Sequence, residues 1–240
     1  MDGNSIGPYS TIKQMIFKTQ GIVLNYLKFR ESSIIVKIYT KDFGLKTFIV
    51  NSVRSRRAKT SKIAYYQPLT LLDLVIYNRP NRDINRISEA RITYPFVSIP
   101  FEHKKTLMVI FIAEVITKLL KEEESDAPLF HFIQENITRF DKQVSQFENF
   151  HIKFLIQFTN YLGFAPQRAV DFCNFPGSEN VKEEPFFAVL SDLFHQNNGK
   201  YIQTSGHIRS QILEFLIRFY QFHVAGFGEI KSFQIIKELH

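Results

Sequence analysis

The sequence has no tryptophan and a single cysteine, Cys173. One cysteine rules out an intrachain disulfide and a zinc site made of several thiolates. It also fits a reducing compartment. Long apolar runs are missing too. The longest, residues 107–113, stops at Glu114, and Lys118 follows. A membrane-spanning helix needs about 20 predominantly apolar residues, so none is expected. Residues 1–10 lack a basic stretch followed by an apolar one, which excludes a secretory signal of the usual kind. The expected setting is the cytoplasm.

Enzyme signatures are equally scarce. There is no glycine-rich phosphate loop followed by lysine and no dinucleotide fingerprint. Gly226-Phe227-Gly228 follows a helical stretch, where glycines act as caps. The seven histidines are scattered and form no HExxH pair. His223 reads as a packed residue rather than a ligand, and Glu114 as an acid on a buried helix with no evident partner. Residues 121–124 (KEEE) read as a solvated helix end. No catalytic constellation emerges, so the expectation is a protein that is not an enzyme and carries neither metal nor cofactor.

What is present is aromatic, and basic at one end. Twenty-five Phe and 10 Tyr point to a core built on ring packing. With 45% hydrophobic and 22% charged residues the chain is globular rather than disordered. Its net charge of +7 is unevenly spread: residues 15–95 hold 15 Lys or Arg against 5 Asp or Glu, a net of +10, and the remainder carries −3. Such a partition points to a polyanion for the first part and a protein partner for the second.

Residues 19–93 read as strands. Residues 22–26 alternate imperfectly, with Val23 breaking the period of two. Residues 33–40 are rich in β-branched side chains, Asp42-Phe43-Gly44 supplies a turn, and residues 46–53, 68–77 and 83–93 follow. Five short strands without an intervening helical pattern suggest a small closed barrel of OB-fold type. After Pro100 the period becomes helical. Leu107, Ile110, Phe111, Val115 and Leu119 mark a buried helix; Asp126 caps the next, and a phenylalanine stripe at 147, 150, 154 and 158 continues to Tyr161, ended by Gly163. Residues 164–185 hold three prolines and read as irregular. Helices are expected again over 185–195, 208–222 and 232–240.

The sharpest local feature is residues 54–62 (RSRRAKTSK), with five cations and no acid between two strands. Arg54, Arg56 and Arg57 can grip phosphate through paired hydrogen bonds, Lys59 and Lys62 act as mobile charges, and Ser55, Thr60 and Ser61 add neutral donors. Tyr65 and Tyr66 would supply base-stacking surfaces where they face outward. A weaker cluster, Arg79, Arg82, Arg86 and Arg91, is diluted by Asp83 and Glu89. Nothing here reads base edges, so binding would be sequence-tolerant and salt-dependent.

Gly21-Ile22-Val23-Leu24, Arg30-Glu31-Ser32-Ser33 and Tyr39-Thr40-Lys41-Asp42-Phe43-Gly44 resemble the opening of RecO proteins. In order follow the basic loop, Gln67-Pro68-Leu69-Thr70-Leu71-Leu72, Ala113-Glu114-Val115, Leu129-Phe130, Tyr161-Leu162-Gly163-Phe164-Ala165-Pro166 and the stretch from Phe222-His223 to Ile230-Lys231-Ser232. The resemblance runs from about Phe17 to Leu239. It implies an α+β, multidomain chain: a five-stranded OB-fold β-barrel over residues 15–98 and an all-helical region over 99–240. Residues 1–14 lie outside it and read as an extension, either without fixed structure or not native to the chain. The resemblance further implies binding of single- and double-stranded DNA, strand annealing, and help, with RecR, in loading RecA onto strands covered by single-stranded DNA-binding protein. The acidic tail of that protein would dock on the helical part, in an apolar pocket edged by Lys or Arg. A nucleoid-associated cytoplasmic protein is expected. Many family members carry a four-cysteine zinc module after the position of Pro166. Here that segment holds only Cys173, and packing around Phe172, Phe175 and Phe186 is expected to take its place. The competing reading is a general OB-fold adaptor for RNA or protein.

Overall fold

The computed structural model describes residues 15–51, 53, 62–78, 83–120, 125–195 and 201–239. Five strands, β1 (Met15–Phe29), β2 (Ser33–Thr40), β3 (Gly44–Val50), β4 (Leu71–Asn78) and β5 (Ile84–Ile92), close into a barrel in the order β1-β2-β3-β5-β4. Only β3 and β5 run parallel. This is the five-stranded OB-fold arrangement. The third strand starts at Gly44, two residues before the expected 46, because the β2–β3 turn is tight. Gly44 takes φ +65° there, and the Phe43 N–H donates to Thr40 Oγ1 at 3.1 Å.

The broken alternation at Ile22-Val23-Leu24 has a physical cause. All three side chains are buried, but Val23 faces the barrel interior with Ile38, Phe48 and Leu74, while Ile22 and Leu24 face the helices. Ile38/Tyr39 and Leu71/Leu72 divide in the same way. A strand covered on both faces reads as a continuous apolar run rather than an alternating one. Gly21 marks the tightest approach. A Cβ there would lie 2.6 Å from Ile38 Cγ2 and 2.7 Å from Leu74 Cδ1.

Among the described residues six helices follow: α1 (His103–Leu119), α2 (Ala127–Lys142), α3 (Phe150–Phe158), α4 (Pro185–His195), α5 (Gly206–His223) and α6 (Phe233–Glu238). Asp126 caps α2 by accepting from Leu129 N at 2.9 Å, as its position ahead of Pro128 suggests. The phenylalanine stripe is only partly helical. Phe147 precedes α3, because Asn149 ends the preceding turn and donates its side-chain amide to Ile202 O at 2.7 Å. Beyond α3, residues 164–185 form short 3₁₀ turns. Phe172, Phe175 and Phe186 are buried there against Phe215 and Phe219 of α5, with ring centroids 4.8–5.7 Å apart. His223 stacks on Phe164 at 5.0 Å, with Nδ1 2.9 Å from Phe219 O, so it is a packed residue.

Glu114 does have a partner. It accepts from Lys231 N, Ser232 N and Ser232 Oγ at 2.8, 2.9 and 2.6 Å, which fastens the start of α6 to α1. Burial alone would raise its carboxyl; these bonds outweigh that and hold it below the usual range.

The barrel and helices meet at a second polar junction. Asp141, 1% exposed near the end of α2, accepts from Val97 N, Ser98 N and Ile99 N at 2.8–2.9 Å and from Tyr94 Oη at 3.0 Å. Lys105, 2% exposed, donates to Ser98 Oγ and to the Phe140 and Asp141 carbonyls at 2.7–3.2 Å, with the Phe140 and Phe147 rings 5.1 and 5.2 Å away. The segment joining β5 to α1 is thus held by the C-terminal end of α2.

An unsatisfied buried N–H costs about 1–3 kcal/mol. Asp141→Ala, which strands three of them, is expected to lower stability by about 3 kcal/mol or more in urea unfolding. Burial would raise the Asp141 carboxyl, but its four donors hold it below the usual range. Its contribution is therefore complete above the unfolded value near pH 4 and is lost as pH falls through the lower folded value. The stability gap between wild type and Asp141→Asn should close on acidification.

Candidate nucleic-acid interface

An OB-fold offers a ligand the outer face of β2 and β3 and the loops between β1 and β2 and between β4 and β5. Register places the side chains on that face in rows. Leu27, Ile35, Ile49 and Arg86 lie side by side across β1, β2, β3 and β5; Asn25, Lys37, Thr47 and Ile84 form the next row. Arg86 is exposed, and its neighbour across the β4–β5 ladder is Tyr77, half-buried on the same wall. Leu27 is 69% exposed and Ile84 45% exposed. The β1–β2 turn brings the exposed Lys28 and Arg30 to the margin; Arg30 sits in a left-handed turn conformation (φ +51°) with its guanidinium 5.2 Å from the Phe29 ring.

Of the cations expected to bind from sequence, Lys62 and Arg86 are described, and both are exposed. Arg54, Arg56, Arg57, Lys59, Arg79 and Arg82 lie outside the described residues. The chain enters the basic stretch at Val53, whose N–H donates to Ser32 O at 2.9 Å, and leaves it at Lys62, the first residue of a 3₁₀ turn (Lys62–Tyr66). Those two anchors put both ends of the stretch on the barrel, one beside the β1–β2 turn. Arg91 is exposed on β5 opposite Asp73.

The two tyrosines part company. Tyr66 is 3% exposed and belongs to the barrel core, where burial pushes its hydroxyl up to about 12, so its ring offers no face to a base. The 3₁₀ turn gives the reason, since successive side chains on it point different ways and the second of the pair falls inward. Tyr65 is half-buried.

Sequence reasoning missed Lys28, Arg30, Lys37 and Tyr77. The signal for Lys37 was available: it stands between Val36 and Ile38, so a period of two turns it outward when its neighbours are buried. Tyr77 carried no comparable mark. On the outer wall of β2 and β3 the side chains are aliphatic, polar or cationic, because Tyr39 and Phe48 turn to the two cores.

These features define a class: an OB-fold barrel with cations on its outer wall, mounted on a helical body. Residues 15–96 match the family model described as recombination protein O N terminal, and residues 101–184 the one described as recombination protein O C terminal. The chain is 32% identical over 239 residues to the DNA repair protein RecO of Flavobacterium psychrophilum, a match covering 94% of this chain and 99% of that protein. It is 33% identical over 238 residues to the DNA repair protein RecO of Flavobacterium johnsoniae and 31% over 251 residues to that of Bacteroides fragilis, with the same coverage. The chain belongs to the RecO family of DNA repair proteins. Among the described residues no helix is long and apolar enough to cross a membrane.

Tyr66→Ala opens the barrel core and should cost about 3–5 kcal/mol, as large aromatic truncations do. Tyr65→Ala should cost well under half of that. Paired urea melts of the two variants check the assignment.

Proposed function

We propose that this protein is a non-enzymatic recombination mediator. It binds single- and double-stranded DNA on its barrel, anneals complementary strands, and with RecR helps RecA load onto strands covered by single-stranded DNA-binding protein. The observation that carries the reading is family membership together with the net +10 on residues 15–95. Arg54, Arg56, Arg57, Lys59 and Lys62 hold phosphates, joined by Arg79 and Arg82, which lie between β4 and β5 in the sequence, and by Arg86 of β5. Tyr65, and Tyr77 beside Arg86, are the rings available for stacking.

The helical part supports docking of an acidic tail. A pocket of about 560 Å³ between α2 and α3 is floored by Phe150 and Phe154 and edged by Arg139, Lys142 and Lys153, with no carboxylate among its described lining residues. Burial holds the Lys153 amine below the usual lysine range, and an arriving carboxylate would oppose that shift. The region's overall negative charge is thus no obstacle, because the cations are gathered at this rim.

For single strands the log–log salt slope is about −0.7 per phosphate neutralised. An Arg54→Ala/Arg56→Ala/Arg57→Ala variant should flatten it by roughly 2 in fluorescence-anisotropy titrations of a labelled strand across a salt series. Unchanged affinity and slope would remove the basic stretch from the interface. Titrating DNA and RNA strands of equal length and sequence separates the mediator from a general RNA adaptor. Comparable binding or a preference for DNA is expected, and a strong preference for RNA would sink the mediator.

A further inference from the structure

Arg139 and Lys142 stand on the crest of α2 between two depressions. On one side lies the α2–α3 pocket. On the other is a groove of about 520 Å³ whose opposite wall is the end of the barrel, formed by Leu71, Thr93 and Tyr94. Both depressions are lined by the same Arg139 and Lys142, which a spacing of three residues brings to one helix face. Neither makes an ion pair among the described residues. The Lys142 ammonium lies 5.8 Å from the Tyr94 ring centroid, so it leans toward the barrel side. The groove continues directly from β5: Thr93 follows the last strand residue, and Arg91 is exposed two residues earlier. Glu135 is the one acid among its described lining residues.

We propose that this crest is a second nucleic-acid contact, shared with the tail pocket. A single strand running off the barrel along the end of β5 lays two phosphates against Arg139 and Lys142, and an acidic tail seated on Phe150 and Phe154 claims the same two cations. The part concerning the tail rests on the pocket reading above. Two cations cannot neutralise two polyanions together, and phosphate and carboxylate brought to one crest repel each other. Strand and tail therefore exclude each other at this point, while the rest of the strand stays on the barrel. The result is a hand-over: the tail recruits the protein, and the strand displaces it.

The test uses the full chain, a fluorescein-labelled oligo-dT strand, and a synthetic peptide of four aspartates ending in phenylalanine. Two phosphates correspond to a change in salt slope of about 1.4. Arg139→Ala/Lys142→Ala, with an unaltered thermal melt, should flatten the strand's slope by about that amount and weaken the peptide. Saturating peptide should flatten the wild-type slope equally and have no further effect on the variant. A tetra-aspartate lacking the ring should not reproduce this, and Arg139→Lys/Lys142→Arg should restore it. A variant slope equal to wild type overturns the crest as a strand contact. Peptide that binds without altering strand affinity or slope overturns the sharing and leaves the pocket reading intact. Peptide that does not bind at all, with a flattened variant slope, overturns the pocket reading and the sharing with it.

Discussion

Lys105 and Asp141 sit where the chain passes from strands to helices, and both are almost without water. A charge so placed is tolerable only when its hydrogen-bonding capacity is filled. Each is filled mainly by backbone: Asp141 by three successive amides of the connecting segment, Lys105 by the carbonyls that end α2, with Tyr94 and Ser98 adding one hydroxyl to each. Backbone groups of a connecting segment cannot be repositioned without losing several of these bonds together. The pair therefore specifies one placement of the barrel against the helices, and an apolar substitute of similar volume would not carry that directional information. Everything that depends on that placement, including the groove between the barrel end and α2, depends on this junction.

The second constraint is the sharing of apolar surface. Ile22, Leu24, Tyr39, Leu45 and Leu71 belong to the barrel by backbone and to the helical core by side chain. The barrel does not end in a solvated wall on that side; its strands serve two interiors. Farther along the same strands the outer wall is left uncovered by that core, and there Lys37 and Arg86 stand among aliphatic residues. The geometry of binding is thus set by which face the helices occupy.

Much of this was legible in the residues. The switch from strand to helical periodicity at Pro100, the cap at Asp126 and the helix over residues 185–195 are local signals, and the structure follows them. The double burial of β1 left its own trace as an imperfect alternation. Lys105, Asp141 and the partner of Glu114 were not legible, because all but one of the contacts described for them join residues 35–118 positions apart and leave no periodic mark. Tyr65 and Tyr66 were indistinguishable as a pair, since only the 3₁₀ turn decides which faces inward. The crest of α2 was hidden for another reason: Arg139 and Lys142 read as ordinary cations at a helix end, and only the two flanking depressions give them a role.

The clamp between Glu114 and residues 231 and 232 bears on how the molecule assembles during synthesis. Glu114 is made early, while its donors come only after α2, α3, α4 and α5 have been laid down. Until then its carboxylate has only water to bond, so this contact forms when nearly all of the helical part is present. One half-buried acid thus joins two helices that are more than a hundred positions apart in the chain.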